Sequence, residues 1–240
     1  MRDAPRAAAV LTDFDGTLAP IVNDPAAAVP VPGTVEVLGA LARRYAVVGV
    51  ISGRPVQYLL DRLGDQLLLS GLYGLETVRN GRPVAWPRAE RWRGVVAGTV
   101  QAATERWGTA VEDKGLSLTL HFRTHPAEEG AVRAWAGAEA ARTGLEVRGA
   151  KASVELHPPL PADKGTVVEE AVHGLSAACF LGDDVGDLPA FDALDRLSTG
   201  TFTAVKVGVR TPEAPPVLLA RADLVVEGPA GALQLLRSLL

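Results

Sequence analysis

Five short, continuous apolar runs constrain the fold of this chain more than any other feature. They read RAAAVLTDF, YAVVGVIS, AACFLG, FTAVKVG and ADLVVEG. Each lacks the strict alternation of polar and apolar residues that a half-exposed strand shows, and is typical of a strand buried on both faces of a parallel sheet. Helical patterns lie between several of the runs, and strands that alternate with helices predict a doubly wound α/β sheet.

Three segments between or after these runs carry helical spacing. We expect one helix over residues 32–44, another over residues 164–175, and a Leu-rich helix from about residue 229. The side chains expected on the buried faces of the first two helices are Val35, Leu38, Leu41, Ala42, Val167, Val168, Ala171 and Leu175.

The middle of the chain, residues 78–157, predicts an inserted antiparallel module, which leaves residues 1–77 and 158–240 for the core. Long alternating segments replace the continuous apolar runs here, and RNGRP suits a hairpin turn. The stretches KGLSLTLHFR and KASVELH both alternate polar and apolar residues, so each is expected to form a strand with one polar face. The Ala- and Glu-rich residues 126–143 predict a helix that covers the apolar side of these strands.

The polar faces of these two strands are open to two interpretations. His121 and Arg123 share one face, and Lys151 and Glu155 share the other. They either form a concave polar floor that hydrogen-bonds many hydroxyl groups or are simply the solvated surface of a sheet.

Composition excludes several partner classes. The formal net charge is −4 and there is no block rich in Lys and Arg, which argues against nucleic acid or a membrane surface as the main partner and favours a small ligand. The single cysteine, Cys179, lies in an apolar stretch and is expected to be a buried structural thiol. No apolar run reaches the length of about 18 residues that a membrane span needs, and the start does not resemble a signal peptide. We therefore expect a soluble, cytoplasmic protein.

Two acids, Asp13 and Asp15, follow the first predicted strand in VLTDFDGTL. Such a pair can be a turn or a helix cap, but at the carboxyl end of a buried strand it also suits Mg²⁺, which takes carboxylates, waters and phosphate oxygens. One carboxylate could then attack phosphorus while the other carries a proton for the leaving oxygen. Gly16 and Thr17 would form a tight turn whose N–H groups approach phosphate oxygens.

Three further clusters call for the same explanation. Ser52 and Gly53 in ISGRP can donate hydrogen bonds to a phosphoryl group, although Ser-Gly is also ordinary turn chemistry. Lys164 in ADKGT stands at a helix start, where the helix dipole disfavours a cation, so we expect it to pair with an anion. The acids of FLGDDVGD, among them Asp183 and Asp187, are too many for a cap alone.

As an ordered set, these clusters resemble the four-motif signature of the haloacid dehalogenase superfamily of phosphohydrolases. The resemblance implies that Asp13 is the nucleophile, that Asp15 is the general acid/base, and that Ser52 and Lys164 hold the phosphoryl group. Its metal site would use Mg²⁺ bound by Asp13, the Asp15 backbone carbonyl and Asp183, with Asp187 supporting either that metal or Lys164. The phosphate-contacting set would be Gly16, Thr17, Ser52, Gly53 and Lys164.

Within that superfamily the chain is similar to the trehalose-6-phosphate phosphatases over nearly its whole length. The stretches that carry this resemblance are LTDFDGTLAPI, VISGRP, YGLE, VEDKGLSLTLHFR, KASVELHP and GDDVGD. It implies a Rossmann-like core, an inserted α/β cap domain that selects the substrate, and Mg²⁺-dependent hydrolysis of trehalose 6-phosphate through a phospho-Asp13 intermediate. Separately from the resemblance, we expect a monomer rather than an oligomer. The residues that would contact substrate are Arg54, Glu76, Lys114, His121, Arg123, Lys151 and Glu155.

The chain departs from the common family pattern at four positions, and other functions stay open. Tyr73 stands where the family usually has His, Gly186 and Leu188 stand where Thr and Glu are common, and His157 stands where Arg is frequent. The alternatives are a phosphatase for sucrose 6-phosphate or a phosphoglycerate glycoside, a sugar-phosphate sensor, and a receiver-like phospho-acceptor. Asp15 argues against the last, because a switch needs no acid to protonate a leaving alcohol.

Overall fold

The computed structural model describes residues 3–22, 25–79, 81–150, 152–198 and 200–240. The chain divides into two compact units, one of Met1–Val84 with Ala162–Leu240 and the other of Ala85–Pro161. The sequence placed the insert at residues 78–157, whereas the structure divides at 85 and 161. The difference arises because two short strands, Glu76–Arg79 and Arg82–Ala85, extend the sheet of the first unit.

Strands of the described residues form one sheet in each unit. In chain order they are β1 (Ala8–Thr12), β2 (Val47–Ile51), β3 (Leu68–Gly71), β4 (Glu76–Arg79), β5 (Arg82–Ala85), β6 (Val111–Asp113), β7 (Leu118–His121), β8 (Glu146–Ala150), β9 (Ser153–His157), β10 (Ala177–Gly182), β11 (Thr203–Arg210) and β12 (Leu224–Glu227). The five strands predicted from continuous apolar runs are confirmed as β1, β2, β10, β11 and β12.

Helices connect these strands. They are α1 (Thr34–Arg44), α2 (Val56–Leu63), α3 (Pro87–Glu90), α4 (Arg93–Trp107), α5 (Glu129–Thr143), α6 (Lys164–Ala171), α7 (Leu188–Leu197), α8 (Pro216–Arg221) and α9 (Gly228–Ser238). Within the described ranges, no helix has both the length and the apolar character that crossing a bilayer requires.

The eight-stranded sheet of the first unit is doubly wound, as predicted. Its strand order is β12-β11-β10-β1-β2-β3-β4-β5, parallel from β12 to β3, with β4 antiparallel to β3. Val10 packs into one apolar core with α1, α2 and α9, and its neighbour Leu11 packs into another with α6, α7 and α8. Both faces of β1 are therefore buried, which explains why its sequence is continuously apolar.

The chain order of the strands reverses beside β1, and this reversal positions the candidate site. Thr12 is paired with Leu181 of β10 on one side and with Val50 of β2 on the other. The segments that follow β1, β2 and β10 consequently leave the sheet at the same edge. In a sheet of this kind the crevice at the reversal is where ligands bind.

The predicted face of α1 is partly wrong. Val35 is 41% exposed, and the buried stripe runs instead through Thr34, Val37, Leu38 and Leu41. The hydroxyl of Thr34 donates a hydrogen bond to the Val31 carbonyl at 2.7 Å and is itself buried, which sets the rotation of the helix.

The second unit pairs a four-stranded antiparallel sheet, ordered β6-β7-β9-β8, with two helices. The apolar sides of β7 and β9 pack against α5, as the sequence predicts, and also against α4, which it did not predict. The core positions of α4 are Val96, Thr99 and Ala103, a stripe too weakly apolar to stand out in the sequence. The hairpin predicted at RNGRP corresponds to β4 and β5, which are neighbours in the larger sheet, although Asn80 lies outside the described residues.

Candidate active site

Asp13 lies directly after β1 and is buried. Its backbone N–H donates to the carbonyl of Leu181 at 2.8 Å, which ties the end of β1 to β10. Its carboxylate Oδ1 lies 2.6 Å from Nζ of Lys164. A predicted nucleophile is thus held on a strand end with a cation against one of its two oxygens.

Lys164 is the first residue of α6, as predicted, and is buried beside two anions. Its Nζ lies 2.6 Å from Oδ1 of Asp13 and 2.6 Å from Oδ1 of Asp187. Burial lowers the pKa of Lys164, but the charges of Asp13 and Asp187 outweigh that effect and hold the pKa above its usual value. The unfavourable position at a helix start is therefore offset by these two carboxylates.

Asp187 anchors Lys164 and the loop after β10. Besides Lys164, its carboxylate accepts the backbone N–H groups of Asp183 at 2.9 Å and Asp184 at 3.1 Å. A side chain on Gly182 would place Cβ 2.4 Å from Cγ of Asp187, so glycine is needed there to admit the carboxylate. The sequence left two roles open for Asp187, support of the metal and support of Lys164, and these contacts fit the support of Lys164.

Three buried carboxylates face a single buried cation. Asp13, Asp183 and Asp187 each offer an oxygen within 4.8 Å of the others. Burial, followed by repulsion from Asp13 and Asp187, raises the pKa of Asp183, and burial likewise raises the pKa of Asp13 against the opposing attraction of Lys164. The cluster is therefore short of positive charge, which a divalent cation would supply.

Asp183 and the Gly16 turn fit a metal ligand set. The Oδ1 atom of Asp183 is buried and has no hydrogen-bond partner among the residues that the structure describes. Gly16 has φ +77°, and a Cβ there would lie 2.0 Å from Oδ2 of Asp183, so the turn packs directly on this carboxylate. Carboxylate oxygens of this kind are what Mg²⁺ prefers.

The same turn contradicts one detail predicted for phosphate contact. The Gly16 N–H, expected to face a phosphate oxygen, donates to the Ala19 carbonyl at 2.7 Å because the turn closes on itself. Thr17 instead offers its hydroxyl, since Oγ1 is buried and unpaired within the described part of the chain.

Asp15 forms an ion pair with Arg54 and is not one of the three clustered carboxylates. Arg54 donates from Nε to Oδ2 and from Nη2 to Oδ1 of Asp15, both at 2.7 Å. The guanidinium also lies 4.6 Å from the ring centroid of Tyr58, which fixes its plane. Arg54 was predicted to contact substrate, but here both of these nitrogens bind Asp15, because the bidentate geometry matches a carboxylate.

Ser52 is held at the end of β2 by backbone contacts. Its N–H donates to Ser70 at 2.9 Å, its carbonyl accepts from Tyr73 at 3.0 Å, and its hydroxyl oxygen accepts the N–H of Arg54 at 3.2 Å. The residue is buried, and its hydroxyl keeps a proton to donate.

Two of the four departures from the family pattern are neighbours. Tyr73 has φ +58°. Its ring lies against the turn after Ser52, and a Cβ on Gly53 would lie 2.5 Å from the Tyr73 hydroxyl oxygen. A Cβ on Gly186 would lie 3.9 Å from Cε1 of the same ring. The larger ring at position 73 is thus accommodated between two glycines.

Glu76 was predicted to contact the sugar, and the structure gives one of its oxygens a different partner. Its Oε2 accepts the backbone N–H of Val56 at 2.9 Å, at the first turn of α2. A carboxylate at a helix N-terminus is stabilised by the free N–H groups there. Glu76 therefore also stabilises the start of the helix that follows Ser52.

The second unit carries its own polar cluster on the predicted face of the sheet. Glu155 is buried, accepts a hydrogen bond from the Ser117 hydroxyl at 2.6 Å, and lies 3.9 Å from Nζ of Lys114. The sequence indicated Lys114 and Glu155 but missed the contribution of Ser117. Because Ser117 alternates onto the polar face of KGLSLTLHFR, its position was the signal that could have revealed it.

Other predicted residues of this unit have different surroundings. His121 Nε2 lies 2.8 Å from Oε2 of Glu112, and Arg123 is exposed. His157 is buried, where burial lowers its pKa and its Nδ1 lies 2.9 Å from the Pro158 carbonyl. Lys151 lies outside the described residues.

The chain is similar to known proteins over most of its length. A family model described as trehalose-phosphatase matches residues 11–215. The trehalose-phosphate phosphatase of Mycobacterium ulcerans is 32% identical over 200 residues, which cover 78% of this chain and 51% of that protein. The chain thus spans about half the length of the relative that it matches.

Solved structures match the fold over almost the full chain. The C-terminal domain of Candida albicans trehalose-6-phosphate phosphatase has a TM-score of 0.79 at 24% identity, covering 99% of this chain and 94% of that one. A haloacid dehalogenase-like hydrolase from Bacteroides thetaiotaomicron has a TM-score of 0.66 at 14% identity, covering 97% and 99%. At these identities the likeness confirms the fold.

Proposed function

Because this chain belongs to the trehalose-phosphatase family, we propose that it is a Mg²⁺-dependent phosphatase that releases trehalose and inorganic phosphate from trehalose 6-phosphate. The observation that carries the proposal is the cluster of Asp13, Lys164, Asp183 and Asp187 at the edge of the sheet where the strand order reverses. Such a cluster suits a phosphoryl group and a divalent cation together.

The proposed reaction proceeds in two displacements at phosphorus. A carboxylate oxygen of Asp13 attacks, the bond from phosphorus to the sugar oxygen breaks, and Asp15 gives that oxygen a proton. Water then attacks the phospho-Asp13 intermediate, Asp15 takes a proton from the water, and phosphate leaves with Asp13 restored. The Lys164 cation and the hydroxyls of Ser52 and Thr17 would bind the oxygens of the transferring group.

Asp13 and Asp183, with the backbone carbonyl of Asp15, would hold Mg²⁺. When bound, the cation neutralises charge on the carboxylates and on the phosphoryl oxygens. The close approach of these buried carboxylates supports this assignment, because a cation beside them offsets their mutual repulsion.

Sugar selection is proposed for the polar face of the second unit, with contributions from Lys114, His121, Arg123, Lys151 and Glu155. For Glu76 of the first unit, contact with substrate stays a prediction. A second candidate substrate class is another sugar phosphate, such as sucrose 6-phosphate. The observation that keeps this alternative open is Tyr73, whose ring lies beside Gly53 at a position where the family usually has His.

A substrate panel tests the proposed function. Phosphate release would be measured from trehalose 6-phosphate, sucrose 6-phosphate, glucose 6-phosphate and an aryl phosphate, each with Mg²⁺ and with EDTA. We expect kcat/KM for trehalose 6-phosphate to lead by about 10² or more and to vanish in EDTA. Comparable, Mg²⁺-dependent rates on all four would retain the core chemistry and reject the sugar assignment. Phosphorylation of the protein without phosphate release would favour the acceptor function.

Arg54 is expected to act on the reaction through Asp15. Replacing Arg54 by Lys removes the bidentate hydrogen bonding to the Asp15 carboxylate, because an ammonium is a point charge. We expect kcat for trehalose 6-phosphate to fall about 10-fold, and kcat for the aryl phosphate to fall less, since its leaving group needs little protonation.

Arg62→Lys is the matched control for Arg54→Lys. Arg62 also stacks on Tyr58, at 3.4 Å, but donates to the carbonyls of Ala26 and Ala28 rather than to Asp15. Its replacement should leave the ratio of the two rates unchanged. An equal loss on both substrates in Arg54→Lys would contradict a role through Asp15 and would indicate that Arg54 contacts the phosphoryl group that the two substrates share.

The expected cytoplasmic location and monomeric state stay predictions. Cys179 is a buried thiol, as expected, and burial raises its pKa to about 12. A buried thiol of this kind is unreactive.

A further inference from the structure

The polar face of the four-stranded sheet contains a buried hydroxyl that has no hydrogen-bond partner among the described residues. Thr119, in the middle of β7, is 3% exposed. Its Oγ1 atom makes no hydrogen bond to any residue that the structure describes. Burying an unpaired hydroxyl costs free energy, and such a group in a native fold calls for a ligand or an ordered water.

The strand register places Thr119 between two carboxylates. Glu112 of β6 is directly opposite it on one side, and Glu155 of β9 is directly opposite it on the other. Arg148 of β8 is in turn opposite Glu155. Residues directly opposite each other in antiparallel strands project from the same face, so these four form one row across the sheet.

The polar neighbours of Thr119 are already hydrogen-bonded. Ser117, two residues earlier on the same face, donates to Glu155, and His121, two residues later, lies 2.8 Å from an oxygen of Glu112. These contacts orient both carboxylates while the hydroxyl between them has no partner. The oriented carboxylates of Glu112 and Glu155 thus flank the Thr119 hydroxyl, which can both donate and accept a hydrogen bond.

We propose that Thr119 determines specificity by hydrogen-bonding a hydroxyl group of the sugar part of the substrate, with Glu112 and Glu155 accepting from adjacent sugar hydroxyls. This inference rests on the proposed function and extends it to Thr119 and Glu112, which lie in the stretch VEDKGLSLTLHFR but were not among the residues predicted to contact substrate. Lys114 lies 3.9 Å from Glu155 and His121 lies 2.8 Å from Glu112, so the charged groups beside Thr119 are paired with one another, and the part of the substrate bound here is the neutral, hydroxyl-rich end. Each sugar hydroxyl can both donate to a carboxylate and accept from threonine.

Thr119→Val tests the proposal because it keeps the shape and removes only the hydroxyl. We expect Tm to rise, since an unpaired polar group leaves the interior, and the ratio of kcat/KM for trehalose 6-phosphate to kcat/KM for an aryl phosphate to fall about 10-fold. Thr119→Ser keeps the hydroxyl and should recover most of that ratio. A variant that is more stable but poorer on the sugar substrate is the signature of a ligand contact.

The matched control is Thr99→Val in the same unit. Thr99 is also buried, but its hydroxyl already donates to the Val95 carbonyl at 2.9 Å. Its loss should lower Tm and leave the substrate ratio unchanged.

An unchanged ratio in Thr119→Val would overturn the proposal and assign the hydroxyl to an ordered water. An equal loss on both substrates would overturn it as well, because the effect would not concern the sugar. Trehalose 6-phosphate turnover by the unmodified protein decides the proposed function separately. If another sugar phosphate of the panel is hydrolysed faster, the ratio is taken with that substrate, and if none is hydrolysed, the assignment of Thr119 fails too.

Discussion

Replacing Asp13 by Asn is expected to abolish turnover, with kcat lowered by about 10⁴-fold or more on every substrate. The amide has the shape of the carboxylate but cannot attack phosphorus as an anion. Because the loss is in the first chemical step, it should be the same for sugar and aryl phosphates. Steady-state phosphate release, measured with both, checks this result.

The fold of Asp13→Asn should survive, and in EDTA its Tm should not fall. Asp13 is one of three buried carboxylates near a single Lys164, and removing its charge relieves repulsion, while Asp187 still pairs with the ammonium at 2.6 Å. Thermal unfolding in EDTA separates this loss of chemistry from a loss of structure. Substantial residual phosphatase activity in a folded variant would exclude Asp13 as the nucleophile.

Asp184→Asn is a matched control close to the same site. The Asp184 side chain accepts the N–H of Val185 at 2.6 Å, a contact that the amide oxygen of Asn can also make. It is not among the three carboxylates of the cluster. We expect this variant to keep most of its activity, so that the effect at Asp13 is attributable to position and not to the change from Asp to Asn.

Replacing Gly16 by Ala is expected to lower kcat/KM about 10²-fold and to raise the Mg²⁺ concentration needed for half-maximal activity. The added Cβ would lie 2.0 Å from an oxygen of Asp183, so the carboxylate or the turn has to move. A displacement of about 1 Å at a reacting centre can cost 10²-fold in rate. Titration of activity with Mg²⁺ measures both effects.

The same change should also lower stability, because φ at Gly16 is +77° and a left-handed backbone costs about 1–2 kcal/mol for a residue with a Cβ. Gly64→Ala separates the two contributions, since Gly64 also has φ +77° but a Cβ there meets nothing within 4 Å. That control should lose stability and keep its activity. Equal Mg²⁺ requirements in Gly16→Ala and the unmodified protein would contradict the assignment of Asp183 as a metal ligand.

Several contacts of the site were not predictable from the sequence. The pairing of Arg54 with Asp15, the cap that Glu76 makes on α2 and the Gly16 N–H bond to Ala19 all concern which partner a polar group takes. A motif states that a charged residue is present but not which of several nearby groups it binds. That choice depends on small differences in the distances between polar groups that come from segments far apart in the chain.

Helix α4 shows the same limit for secondary structure. Its buried positions are Val96, Thr99 and Ala103, and small or polar residues of this kind do not produce a clear apolar period. The helix is stabilised by packing into an apolar core that it shares with α5, β7 and β9. Tertiary contacts therefore stabilise helix α4, which the local sequence pattern alone does not predict.

The sequence alone determined the parallel core, the strand ends that carry Asp13, Ser52 and Asp183, and the helix start at Lys164, because each depends on local patterns of burial and on the chemistry of the residue itself. The tertiary structure alone decided that Asp187 contacts Lys164, that Arg54 pairs with Asp15 and that Thr119 is buried between Glu112 and Glu155. The physical reason is that burial and pairing belong to segments brought together by folding, and no single segment contains that information.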